Sequence, residues 1–169
     1  DAMAELAELA MDLLPQHGYE HYEISNWARG SVFRSRHNQI YWRNGWYIGA
    51  GAGAHGYLGG IRTVNERRPE RYIERLHLGE LPIQEVETID PRTEAIETML
   101  LGLRLVTDGI AASAFRERHG RDLLELYGPA IEELRVLDLV EWDGERLRLT
   151  RRGVLVANEV AVRFLEPMW

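Results

Sequence analysis

No cysteine occurs among the 169 residues. The chain therefore supplies no disulfide, thiolate nucleophile, CxxC redox pair or iron–sulfur ligand of its own. Lysine is absent as well, all 20 basic residues being arginine. No apolar run approaches the ~20 residues of a membrane-spanning helix, and no stretch has the layout of a signal peptide, so a cytoplasmic setting is expected. No HxxxH or paired-carboxylate spacing suggests zinc or hydrolysis. Ser25 and Ser31 stand outside any nucleophile-elbow context. What is present is the composition of a folded protein, 45% hydrophobic and 28% charged, with a length of roughly one to one and a half domains.

The net charge of −7 is unevenly spread. Residues 1–28 carry −6, residues 29–75 carry +6, and residues 76–169 carry −7. The one basic block is also rich in glycine, histidine and aromatic residues. Such a block can attract a small anion, whereas the acidic whole is a poor partner for nucleic acid.

Along the chain, Met3, Leu6, Leu9, Ala10, Leu13 and Leu14 share one helical face, ended by Pro15 and Gly18. An uncapped amphipathic helix starting at the first residue suggests the back part of a longer protein. Tyr19 to Trp27 reads as a strand leading into a loop, and Arg34 to Arg43 as a short helix or turn stopped by Asn44-Gly45. Trp46 to Ala50 reads as a buried strand entering the glycine-rich GAGAHGYLGG, Arg62 to Asn65 as a further short strand, and Pro69 to Leu78 as a helix. This order suggests βα units around a parallel sheet, with sites at the strand ends.

The second half follows a different pattern. Asp90-Pro91 opens a helix with the stripe Ile96, Met99, Leu100 and Leu103. Helices are predicted over Ala112 to His119 and Leu123 to Leu137, the latter broken or restarted at Gly128-Pro129. Asp143-Gly144-Glu145 joins two strands of a hairpin, and Thr150 caps a last helix to Leu165. The expected architecture is α/β: residues 1–82 a strand-and-helix unit, residues 83–169 a mainly helical, winged-helix-like domain. Its third helix carries Asp122, Glu125, Glu132, Glu133 and Asp138, the wrong sign for contacts to phosphate.

Two constellations have chemical content. Gly49, Gly51 and Gly53 alternate in IGAGAGAH directly after an apolar segment; small residues there allow close approach of a ligand or simply tight packing, and free N–H groups can meet carboxylate or phosphate. The third glycine and the helix start are misplaced for a dinucleotide fingerprint. In RHNQIYW, helical spacing puts His37 and Tyr41 on one face. A neutral imidazole there can ligate iron or can be an ordinary loop histidine. His55 carries the same ambiguity, while His17, His21, His77 and His119 lack companions.

The run from Gly18 to Asn65, containing YEISN, HNQIYW and YIGAGAGAHGY, resembles the radical S-adenosylmethionine family related to oxygen-independent coproporphyrinogen III oxidase, and within it the haem-chaperone, HemW-type, branch. The likeness continues more loosely through RLTRRG and the final helix. It implies that residues 1–82 are the later part of a partial (β/α) barrel and residues 83–169 a HemN-type C-terminal domain. It further implies S-adenosylmethionine, a tetrapyrrole and a [4Fe–4S] cluster whose CxxxCxxC ligands lie upstream of Asp1, so that this chain is not expected to be catalytic alone. The resemblance places haem on His37, Asn38 and Tyr41, with His37 as axial metal ligand and Arg34, Arg36 and Arg43 near its propionates. It places S-adenosylmethionine against Gly49, Gly51, Gly53, Ala54 and His55. The implied partners are haem or porphyrin and a recipient haem protein; an incomplete barrel is also expected to self-associate. Radical decarboxylation of coproporphyrinogen III and a purely structural docking module are the alternative functions.

Overall fold

Five apolar residues of the C-terminal half, Leu123, Leu126, Tyr127, Ile131 and Leu134, recur at helical spacing and are all buried on one face of α6, Leu123–Val136. In the computed structural model, which describes residues 2–169, this face is the centre of the main core. Asp122 caps the helix by accepting the N–H of Leu124 at 2.8 Å. The predicted break at Gly128-Pro129 does not occur. Pro129 removes one helical hydrogen bond, a cost of about 3 kcal/mol, but the buried residues on both sides of it keep the helix continuous because packing outweighs local propensity.

The chain divides into two compact units, one made of residues up to Asn44 together with Ala95–Trp169, the other of Gly45–Glu94. In the first, α4 (Pro91–Gly102) from Ala95 onward, β6 (Ile110–Ala111), α5 (Ala112–His119), α6, β7 (Val140–Trp142) and β8 (Arg146–Leu149) follow one another, and the sheet order is β6-β8-β7. Three helices with an antiparallel sheet in that order are a winged helix, as the sequence pattern predicts. Phe115, Tyr127 and Phe164 meet edge-on in its core, with ring centroids 6.1 and 5.6 Å apart. The last helix is not continuous: α7 (Arg151–Leu155) and α8 (Ala157–Val162) are separated at Val156, whose φ of −124° is not helical.

The same unit contains α1 (Ala2–Gln16), which is fastened by the Arg151–Asp12 ion pair of 2.5 Å while Met3, Leu6 and Leu9 stay exposed. The strand expected over Tyr19 to Trp27 is a hairpin, β1 (Glu20–Glu23) against β2 (Asn26–Ala28). A turn of 3-10 helix and then α2 (Arg36–Trp42) follow.

The second unit holds β3 (His55–Leu58), β4 (Ile61–Asn65), α3 (Pro69–His77) and β5 (Ile83–Thr88), with sheet order β3-β4-β5. The expected parallel βα arrangement is corrected here: every named strand pair among the described residues is antiparallel, and no closed barrel is present among them. The cause is visible at Gly59-Gly60, both at positive φ (58° and 78°), between the paired Leu58 and Ile61. Two such residues make the tight turn that folds a strand directly back on itself. Trp46 to Ala50 is likewise not a buried strand; only Tyr47 pairs, in an isolated bridge to Tyr57, and Ile48 is 85% exposed.

At the wing turn, the Asp143 carboxylate accepts the backbone N–H groups of Glu145 (3.0 Å) and Arg146 (2.7 Å) and pairs with Arg148 (2.9 Å). The two backbone donors, aided by Arg148, lower its pKa to about 2. Because the folded value lies below the ordinary carboxyl value of about 3.9, the carboxylate stabilises the turn above that pH and ceases to do so as pH falls toward 2. An NMR pH titration should show the Glu145 and Arg146 amides responding to a group titrating near pH 2; a midpoint near the ordinary value would show that the turn does not hold the carboxylate.

Candidate functional site

α2 is only seven residues long, RHNQIYW, and depends on outside support because so short a helix is marginal alone. Ser35 caps it, its hydroxyl accepting the Asn38 N–H at 3.2 Å. His37 and Tyr41, four residues apart, meet on one face with ring centroids 4.8 Å apart and planes 84° to each other. His37 is exposed, and neither ring nitrogen has a hydrogen-bond partner among the described residues. Arg36 beside it is exposed and also lacks a partner among them.

The other side of α2 is anchored. Trp42 donates its indole N–H to Glu23, and Asn26 donates its amide to the other oxygen of the same carboxylate. Glu23 is 1% exposed, so these two donors replace the water that a buried carboxylate would otherwise lose at high cost. The Arg104 guanidinium lies 4.9 Å from the Trp42 ring centroid. The Tyr22 hydroxyl accepts the Ser35 N–H at 3.2 Å, and Arg34 lies over the Tyr22 ring.

Arg34 is itself paired with Glu20 (2.7 Å) and Asp108 (3.1 Å), while Arg43 reaches the second oxygen of Asp108 at 2.5 Å. The hydrogen bond that Arg34 donates to Glu20 chiefly raises the pKa of Arg34, against the effect of burial. Burial pushes Asp108 up, but the hydrogen bonds and charges of Arg34 and Arg43 outweigh it and hold the carboxyl below its usual value. Of the three arginines expected near an anionic ligand, two are therefore already engaged with carboxylates of this chain, and Arg36 remains.

The glycine-rich loop belongs to the other unit. A Cβ on Gly49 would collide with the His55 carbonyl oxygen, so the close approach of two backbone segments requires glycine there. Asn65, 6% exposed, donates its amide to the carbonyls of Gly49 and Gly51, each at 3.0 Å. The N–H of Gly51 goes to the Tyr72 hydroxyl at 3.0 Å, that of Gly53 to the Glu66 carbonyl at 2.9 Å and that of Ala54 to the Gly51 carbonyl at 3.3 Å. Those three N–H groups are thus engaged within the chain and do not form an open cradle for an anion. His55 is exposed at the start of β3.

The structure brings His37 and Tyr41 into contact on α2, with the Asn38 N–H donating to the Ser35 cap, and it gathers Gly49, Gly51, Gly53, Ala54 and His55 into one pinned loop. Of the remaining histidines, His21 is stacked on Trp27 with centroids 4.1 Å apart, its pKa lowered chiefly by burial. Among the described residues no group of three or more His, Cys, Asp or Glu side chains is placed to hold a metal ion. Glu23, Asp108, Asn65 and Tyr72 are the supporting residues that sequence reasoning missed. YEISN contained the first, but a buried carboxylate bonded to an indole 19 residues away has no local pattern; Asp108-Gly109 reads only as the end of a helix.

Residues 89–156 match the family model of the HemN C-terminal domain. The chain is 38% identical over 162 residues to the haem chaperone HemW of Bacillus subtilis, covering 96% of this chain and 42% of that protein. It is 37% identical over 165 residues to HemW of Lactococcus lactis, covering 98% and 42%. Among solved structures, the Escherichia coli coproporphyrinogen III oxidase HemN, described as a radical SAM enzyme, superposes with a TM-score of 0.64 at 14% identity, covering 93% of this chain and 39% of that one. That likeness establishes the fold. The chain spans about two fifths of the length of the HemW relatives.

Replacing Asn65 with Ala leaves two loop carbonyls without their donor. The expected cost is about 1–3 kcal/mol in urea denaturation. A loss below about 0.5 kcal/mol, the range of an ordinary surface substitution, would show that the loop does not depend on this pin.

Proposed function

We propose that this chain, which belongs by sequence with the HemW-type haem chaperones of the radical S-adenosylmethionine family as a homologue of part of their length, binds haem through α2 as one portion of a longer haem-handling protein. One observation carries the reading. His37 is an exposed imidazole with both nitrogens unpartnered among the described residues, braced by the Tyr41 ring on a helix anchored from its other side.

These residues fit the group. An unhindered neutral imidazole is a suitable axial ligand for haem iron, and a rigid helix holds it without a large ordering cost on binding. Tyr41 restricts the His37 ring and presents an aromatic surface beside it, Asn38 secures the first turn, and Arg36 supplies a positive charge for a propionate. At His37 the imidazole nitrogen would donate its lone pair to the iron, with haem held as cargo. Delivery to a recipient haem protein and a cytoplasmic location belong to the same proposal, as does self-association through exposed apolar residues such as those of α1. Among the described residues no helix is long and apolar enough to cross a membrane.

The Gly49, Gly51, Gly53, Ala54 and His55 loop is proposed to face S-adenosylmethionine in the longer protein, through close packing rather than through the N–H groups of Gly51, Gly53 and Ala54. The ligands of a [4Fe–4S] cluster would have to come from outside this cysteine-free sequence. On this reading residues 1–82 derive from the barrel and residues 83–169 form the C-terminal domain.

A haemin titration followed by absorbance, made on the full-length protein and on its His37→Ala variant, tests the assignment. Wild type should bind saturably with a shifted Soret band. The variant should lose that band position and weaken at least about tenfold, or about 1.4 kcal/mol. An identical spectrum and affinity would remove His37 as the ligand, and no binding by wild type would leave the decarboxylase reading to be tested by product formation.

A further inference from the structure

One carboxylate holds both ends of α2. Asp108 Oδ1 accepts from Arg34 Nη1 at 3.1 Å, just before the Ser35 cap, and Asp108 Oδ2 accepts from Arg43 Nη2 at 2.5 Å, Arg43 being the residue that closes the helix. The two arginines flank the seven helical residues, so this single side chain spans the element that presents His37 and Tyr41.

The turn that carries Asp108 is fixed on its far side by the wing. Gly109 stands at φ +59° with no room for a Cβ against the Leu147 carbonyl of β8. Arg146 of β8 donates to the Asp108 carbonyl at 2.9 Å, and Arg148 of β8 donates to the Thr107 carbonyl at 3.0 Å. The Thr107 hydroxyl reaches the His21 carbonyl in β1 at 3.0 Å. Residues 107–109 are thus bonded to β8 through their backbone and to β1 and α2 through their side chains. The partners of those side chains, His21, Arg34 and Arg43, lie outside the 89–156 segment that matches the C-terminal domain model.

We propose that Asp108 is a positioning residue through which the winged-helix domain holds α2 in place, so that the domain serves the His37 face as its rigid support and not as a reader of nucleic acid. The inference rests on the haem reading of α2 for its functional meaning, but the clasp itself is a property of the protein without ligand. Arg34, with a side chain 11% exposed, is the buried arm, fixed also by Glu20; Arg43, 51% exposed, is the outer arm. Screening by solvent weakens the outer pair more than the inner one. Asp108 joins them, and its loss removes a contact at both ends at once and leaves Arg34 with a single carboxylate.

Hydrogen–deuterium exchange on the full-length protein tests this without haem. In Asp108→Ala, peptides covering residues 36–44 should exchange roughly tenfold faster or more, while α6 in the domain core stays protected, because a local opening separates from global unfolding. Asp108→Glu, which keeps the charge, should retain most of the protection. Asp108→Asn, which preserves shape, serves if the alanine variant does not fold, and Arg43→Gln should give a smaller effect of the same kind. Unchanged protection of residues 36–44 in the Ala or Asn variant overturns the clasp. Haemin titration of the same variants should show weakening of roughly tenfold (1.4 kcal/mol); faster exchange with unaltered haemin affinity would uphold the clasp and count against α2 as the haem helix.

Discussion

A turn of three residues, Thr107–Gly109, is the constraint on which the first unit depends. It lies between the first helix and the first strand of the winged helix, where a connection has only to be short. Here it is tied into β8 by two arginines and by a glycine that no other residue can replace without moving a backbone. That rigidity lets Asp108 act on its neighbours. A carboxylate on a mobile loop would spend most of its interaction energy on being ordered. On a fixed turn, with partial burial lowering the effective dielectric, the same two arginine contacts are worth more.

Two of the contacts that hold α2 are unlike in kind. The Asp108 clasp is ionic and partly solvated. The Glu23–Trp42 contact is buried, and its carboxylate is satisfied by neutral donors, an indole and an amide. Removing a donor from the latter strands a buried charge, whereas loosening the former exposes charges that water can serve. The division leaves His37, on the opposite face of the helix, exposed beside the Tyr41 ring. A helix of two turns gains little from its own propensity; it is stable because one face is committed to the protein.

The sequence made the C-terminal half largely legible. Capping at Asp90 and Thr150, the apolar stripes of α4 and α6 and the Asp143-Gly144 turn each have a local physical cause, and the winged helix follows from their order. Pro129 misled because the cost of a proline is local while the packing that overrides it is not. The Gly45–Glu94 unit was read poorly for a different reason. Gly59-Gly60 is a hairpin signal, but within GAGAHGYLGG it merged with the preceding glycines into one loop. β5 carries Glu85 and Glu87 and is almost wholly exposed, so its residues lack the apolar alternation that marks a strand. At the candidate site, the HNQIYW residues were singled out by their motif and by their helical spacing. Glu23, Asp108 and Asn65 were not, since each acts on residues distant in sequence and has no spacing of its own.

The pin at Asn65 has a thermodynamic meaning for whatever meets the glycine loop. Glycines are the residues with most backbone freedom to lose, and a run of them left loose would surrender that entropy at the moment of binding, lowering affinity. With two carbonyls held by one amide, and three of its N–H groups already bonded, the freedom is given up when the chain folds. A molecule arriving there encounters a surface of settled shape. The consequence is that the affinity of any such molecule would reflect contacts made, with little discount for order imposed.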